Sequence, residues 1–297
     1  MVAPLVEALK NHVLSADILH ADDTPIPVLA PGLGKTKTGR LWTYVRDERP
    51  AGGKTAPAVW FAYSTNRKGE HPQTHLQNFR GVLQADGYSG YTKLYEDGKI
   101  SEAACWAHAR RKFHDLHLAN QSTIAAEALD RIGALYEIEQ DIRGMCPDER
   151  REIRQERSQP KLDALQIWLE VTLQTLSQKS ATALAIKYAL TRWDALTRYC
   201  NDGRIEIDNN AAERSLRCVA LGRKNFLFAG SDRGGDYAAG LYSLIGTAKL
   251  NGYDPEAFLR EVFTRINDQP ILNVGDLLPW NLPALPSAKN TLASLPA

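Results

Sequence analysis

The 297-residue chain is 43% hydrophobic and 24% charged, the balance of a soluble globular protein with material for one large or two smaller domains. Its net charge is +1, so any nucleic-acid role rests on local basic clusters rather than on the total. No run of about 18 apolar residues could span a bilayer, and the first ten residues lack the basic-then-apolar order of a signal peptide. The four cysteines, Cys105, Cys146, Cys200 and Cys218, form no C-x-x-C pair, so a reducing cytoplasm fits best.

Residues 1–14 carry Leu5, Val6, Leu9 and Val13 near helical spacing and predict a short N-terminal helix. A strand follows to about Thr24, broken by Pro25 and Pro27. Asp22 and Asp23 near its end point to opposite faces, so only one of them can share a pocket with a distant partner. Gly32 to Gly39 reads as a basic hairpin turn. Its Gly-Leu-Gly-Lys-Thr lacks the spacing of a phosphate loop. Arg40–Asp47 and Ala58–Tyr63 are the next strands, with a short helix over His75–Phe79. Gly81–Asp86 reads as a buried strand ending in an Asp-Gly pair, which by itself is an ordinary turn. Tyr88, Tyr91 and Leu94 fit a short helix, and Ile100–Trp106 a further strand. His108, Arg110, Arg111, Lys112 and His114 then form a dense basic patch.

From Phe113 to Tyr199 strand signals stop and three helical periodicities predict an all-helical insertion, with the charged run Asp148–Arg157 on a solvated face or loop. The segment Asp208-Asn209-Asn210-Ala211-Ala212-Glu213-Arg214-Ser215-Leu216-Arg217 reads as a helix start, with Asp208 as its N-cap and Glu213 one turn before Arg217. In isolation that is a capped, solvated helix with one ion pair. A basic-then-aromatic stretch, Arg223-Lys224-Asn225-Phe226-Leu227-Phe228, comes next, followed by a small-residue helix to Asn251 and a last helix from Pro255 to Ile266. Residues 268–297 read as an extended Pro/Ser/Leu-rich tail. Trp42, Trp60 and Trp106 read as core residues and His20 as structural.

If the first and fourth strands lie side by side, an aspartate from each stands at neighbouring strand ends, and a packed helix can add Glu213. Three carboxylates suit Mg2+ or Mn2+, and two such ions can hold the attacking and leaving oxygens of a phosphodiester.

His20-Ala21-Asp22-Asp23-Thr24-Pro25, Leu83-Gln84-Ala85-Asp86-Gly87-Tyr88, Cys105-Trp106-Ala107-His108-Ala109-Arg110-Arg111-Lys112-Phe113, Asp208–Arg214 and Gly222–Ser231 together resemble the motifs of bacterial DDE transposases of the insertion-sequence-sixty-six family. The resemblance covers about residues 15–267. It implies an α/β, ribonuclease-H-like mixed sheet flanked by helices, with an all-helical insertion before the last catalytic helix. The implied division is a residual N-terminal helix (1–14), a first core part (15–113), the insertion (114–200), a second core part (201–267) and the tail (268–297). It also implies metal-dependent DNA cleavage and strand transfer, with Asp22, Asp86 and Glu213 as catalytic metal ligands for two Mg2+ or Mn2+ ions. The family pattern at the first site is Asp-Glu-Thr and here reads Asp22-Asp23-Thr24, which leaves Asp23 as the alternative ligand. His108, Arg110, Arg111, Arg214, Arg217, Arg223 and Lys224 are the candidate DNA contacts. The implied partners are transposon ends and target DNA, a homo-oligomer on DNA and accessory proteins of the same element, with no membrane. Family members usually extend further at the N-terminus, so this chain is expected to be a truncated copy or a fragment. A nuclease of the same fold without strand transfer, or a silent DNA-binding remnant, are the alternatives.

Overall fold

A central strand, β1 (Ile18–Ala30), organises a five-stranded mixed sheet of order β3-β2-β1-β4-β5. The computed structural model describes residues 2–32 and 34–283. A first helix, α1 (Ala3–Leu14), buries Leu5, Leu9 and Val13 against the sheet. β1 then turns back as β2 (Lys35–Arg46), and β3 (Ala58–Ser64) extends the antiparallel meander. After α2 (Glu70–His75), β4 (Gly81–Gln84) returns to the other side of β1 and runs parallel to it, with His20 opposite Gln84. α3 (Thr92–Tyr95) leads into β5 (Ile100–Ala103), parallel to β4. β4 begins at Gly81 with φ +138, where a Cβ would collide with the Asp17 carbonyl, so only glycine fits.

β1 does not stop at Thr24 but runs through both prolines to Ala30. The reason lies in the pairing. β4 accompanies β1 only over Ile18–His20. The Leu29 N–H donates to the Ala229 carbonyl and the Ala229 N–H to the Pro27 carbonyl, so residues of that parity face away from β2. Pro25 and Pro27 therefore turn their missing donors toward an open edge, where the ladder loses nothing. The helix expected over His75–Phe79 lies instead at Glu70–His75 and ends where it was expected to begin, with Pro72 in its first turn, where no intrahelical N–H bond is needed. The fifth strand ends at Ala103, and Trp106 already opens a helix.

That helix, α4 (Trp106–Asn120), starts a run of helices: α5 (Thr123–Asp141), α6 (Pro147–Ile153), α7 (Gln159–Gln174), α8 (Ala181–Leu190) and α9 (Trp193–Thr197). They bury one apolar cluster around Trp106, Phe113, Ile132, Leu135, Leu165 and Ile186. The chain then returns to the sheet in α10 (Asn210–Gly222), α11 (Asp232–Leu250) and α12 (Pro255–Arg265). α11 covers the outer edge of β3: Ser243 Oγ accepts the Phe61 N–H at 2.8 Å and Thr247 Oγ1 the Val59 N–H at 3.0 Å. Residues 268–283 are not an extended tail. They form short 3-10 turns at Ile271–Leu277 and Pro279–Asn281, and Val274, Leu277, Leu278 and Leu282 are buried in the same cluster as α1. The rest of the expected tail, 284–297, lies outside the described residues. Trp42, Trp60 and Trp106 are all core residues.

The run Asp148–Arg157 is not uniformly solvated. It is helical through α6 and a π-helical turn at Arg154–Ser158, and it buries Arg150 and Arg154. Arg154 makes a two-pronged bond to Glu139, Nε to Oε1 at 2.8 Å and Nη2 to Oε2 at 2.6 Å, and its Nη1 donates to the Tyr199 carbonyl at 2.8 Å. Arg150 bridges Glu206 at 2.6 Å and Glu139 at 3.3 Å. The two arginines are four residues apart and share one helix face, while their partners sit far away in sequence. Removing one member leaves a buried charge unpaired. Arg154→Met is expected to destabilise the chain by about 3–5 kcal/mol in urea unfolding, as the buried Glu139 loses its two-pronged partner and keeps only the longer bond to Arg150. A double variant Arg154→Met/Glu139→Leu is expected to recover much of the loss.

Candidate functional site

The site forms where β1, β4 and α10 meet. Asp22 and Asp86 each lie two residues past the paired His20 and Gln84, on segments whose strands run about 4.8 Å apart. The side-by-side placement of the first and fourth strands matches the sequence reading. Glu213 enters from the first turn of α10.

Asn209 fixes that turn, and the sequence did not single it out. It is fully buried; its Nδ2 donates to the Ala21 carbonyl at 2.8 Å and its Oδ1 lies 3.1 Å from His20 Nδ1. Its backbone N–H points to Cys105 Sγ at 3.2 Å. Gln84 adds two bonds to the Glu206 backbone, and the Trp106 N–H donates to the Ile207 carbonyl at 3.1 Å. Asn209, not Asp208, is the N-cap. With its side chain engaged on β1, Asp208 accepts the Asn210 N–H at 3.0 Å as an Asx turn. His20 is structural here, and burial holds its imidazole below the ordinary range.

The two adjacent aspartates have opposite environments. Asp23 is sealed by Arg40 at 2.9 Å and Arg67 at 2.8 Å, and its side chain is 1% exposed. Asp22 has no cationic partner among the described residues; its Oδ1 accepts the Asp23 N–H at 2.7 Å. Burial raises its carboxyl to about 7, and the charges of Asp86, Asp23 and Glu213 push in the same direction. Asp86 accepts the Tyr88 N–H at 3.1 Å, and Arg67 approaches it at 3.9 Å while covering the Tyr88 ring. Arg40 and Arg67 were missed in the sequence because neither sits in a recognisable motif.

Glu213 does not pair with Arg217. It faces α4, with His108 Nε2 and Arg111 Nη2 each 3.8 Å away, and its buried Oε1 has no hydrogen-bond partner among the described residues. Arg223 reaches back to the Thr24 hydroxyl beside Asp22. Arg110, Arg214, Arg217 and Lys224 are exposed and, among the described residues, hold none of the acids. Asp86 and Glu213 thus lie near enough to act on Asp22, His108 and Arg111 face Glu213, Arg223 bonds Thr24, and the other candidates lie on the surface.

Asp22, Asp86 and Glu213 offer oxygen donors of the kind that suits a hard divalent cation such as Mg2+ or Mn2+, although their donor atoms do not all lie within 4.8 Å of one another. The same cluster costs stability without one. Asp22 ionises near 3.8 in the unfolded chain and near 7 when folded, so the native state holds the extra proton and stability falls as pH rises between those values. In chelator, Asp22→Asn is expected to raise stability by on the order of 2 kcal/mol at pH 8 and by nothing at pH 3, read by thermal unfolding.

Among the described residues no helix is long and apolar enough to cross a membrane. A family model described as Transposase IS66 family matches residues 1–237, and one described as IS66 C-terminal element matches residues 243–280. The uncharacterized protein y4hP of Sinorhizobium fredii is 42% identical over 307 residues, covering 98% of this chain and 55% of that protein. The uncharacterized proteins y4qI and y4jD of the same organism are 42% and 40% identical, covering 93% and 94% of this chain and 53% and 56% of themselves. The chain spans about half the length of these curated relatives. With both family models falling in order along its length, the chain belongs to the IS66 family of transposases.

Proposed function

We propose that the chain carries a ribonuclease-H-like DDE transposase core that cleaves DNA phosphodiesters and transfers the freed strand. The observation that carries this reading is Asp22, a buried carboxylate crowded by Asp86 and Glu213 and with no arginine or lysine partner among the described residues. Asp22, Asp86 and Glu213 would hold two Mg2+ or Mn2+ ions. When bound, such ions activate a water and stabilise the attacking and leaving oxygens of an in-line displacement.

The protein's own groups prepare the site. The Asp23–Arg40–Arg67 cluster fixes the end of β1, and Arg67 leans on Asp86. Asn209 sets the approach of Glu213. Arg111 and His108, each 3.8 Å from Glu213, would meet the phosphate at the site, and Arg223, Lys224, Arg110, Arg214 and Arg217 would be the backbone contacts of a longer DNA path. Residues 15–113 and 201–267 form the core in this reading and 114–200 its helical insertion. Asp22, rather than Asp23, is the first ligand, because Asp23 is already neutralised by two arginines.

The test uses supercoiled plasmid with Mn2+, then pre-cleaved ends of the element that encodes the chain. Nicking is expected to fall by about 10²–10³-fold or more in Asp22→Asn, Asp86→Ala and Glu213→Gln with folding intact. Asp23→Asn is expected to lower stability first, by freeing Arg40 and Arg67. Unchanged nicking in Asp86→Ala sinks the assignment. Nicking without joined product would make the chain a nuclease instead.

A further inference from the structure

We propose that Cys105, His108 and Glu213 form a second cation site, adjoining the three carboxylates and sharing Glu213 with them, for a borderline-soft divalent ion such as Zn2+. Cys105 stands at the start of α4 and His108 follows three residues later, so both side chains emerge on one helix face. Glu213 comes from the helix whose start is bonded to the same turn through Asn209 and Ile207. One ligand atom from each residue lies within 4.8 Å of the others. Tetrahedral zinc, with bonds of about 2.0–2.3 Å, sets its ligand atoms roughly 3.5 Å apart. Closing that gap takes about an ångström, within reach of the Glu213 side-chain torsions.

One atom marks a missing partner: Glu213 Oε1 is buried without a hydrogen bond among the described residues. The 3.8 Å between His108 Nε2 and Glu213 Oε1 is too long for one. A sulfur, an imidazole nitrogen and a carboxylate oxygen suit Zn2+ and not Mg2+. Binding sends the Cys105 thiol proton to solvent and moves no electrons. Zn2+ that draws Glu213 toward Cys105 and His108 competes for it with the hard-cation cluster, and in this way lowers cleavage. The binding stands on its own; the lowered cleavage rests on the proposed function.

The experiment titrates Co2+, a zinc surrogate with visible d–d bands, into the whole 297-residue chain carrying Cys146→Ser to remove the exposed cysteine. A near-ultraviolet thiolate-to-cobalt band saturating at one ion per chain and bleached by Zn2+ is expected. Cys105→Ser should abolish it and weaken Zn2+ binding roughly 100-fold, whereas Asp86→Asn should leave it in place. No band in the folded chain, or a band that survives Cys105→Ser, overturns the proposal. Should Cys105→Ser fail to fold, His108→Gln decides by the same titration, and unchanged cobalt affinity there overturns it too. In the nicking assay, Zn2+ should inhibit the parent at least tenfold more strongly than Cys105→Ser. A parent that never nicks refutes the proposed function, while the cobalt band still judges the site.

Discussion

One buried amide, Asn209, sets the geometry on which the site depends. It bonds the backbone of the central strand at Ala21, meets His20 on the same strand, and touches the start of α4 through Cys105. Three elements from distant parts of the chain are thereby locked within one turn of Asp22 and Glu213. A buried amide that satisfies its donors and acceptor in only one arrangement specifies position more sharply than apolar contact can. The cost is local: the helix that delivers Glu213 gives up an ordinary side-chain cap, and Asp208 takes over part of that duty.

The sheet around this joint is protected differently at each border. α11 lays two hydroxyls on the edge of β3, so the backbone donors of Val59 and Phe61 are met inside the protein. The open flank of β1 is disarmed by Pro25 and Pro27 and is met by Asn209 at Ala21 and by Ala229 at Pro27 and Leu29. Both devices suppress strand addition by another chain.

Much of the fold was legible because aromatic and branched runs at alternating spacing mark strands, and the small-residue and Pro-led segments mark the late helices. Element order allowed the first and fourth strands to lie side by side, and the pairing of β1 with β4 realises it. What sequence could not supply was pairing at a distance. Two prolines ordinarily end a strand, and only the divergence of β4 shows why β1 continues. Asp148–Arg157 looked solvated because Glu139 and Glu206, which bury its arginines, lie outside the run. Leu277 and Leu282 sit in a stretch whose prolines suggested a tail, yet they complete the core beside α1. At the site, Asp22 and Asp23 were indistinguishable by type. Arg40 and Arg67, which separate them, belong to no local pattern. The C-x-x-H of Cys105 and His108 supplies only two donors, and the third, Glu213, lies more than a hundred residues on and joins them only in the fold.

The Glu139–Arg154 joint also has a practical meaning. Ions exposed at the surface lose each other in molar salt, where the screening length shrinks to about 3 Å, but a pair shut away from water hardly senses it. The links from α5 and α6 to the approach of α10 belong to the second kind, with Arg154 fully buried and Glu139 9% exposed. Exposed Arg110, Arg214, Arg217 and Lys224 belong to the first. A high-salt wash therefore strips adhering polyanions from the surface while the internal skeleton keeps its shape, which separates what the molecule holds from what holds the molecule.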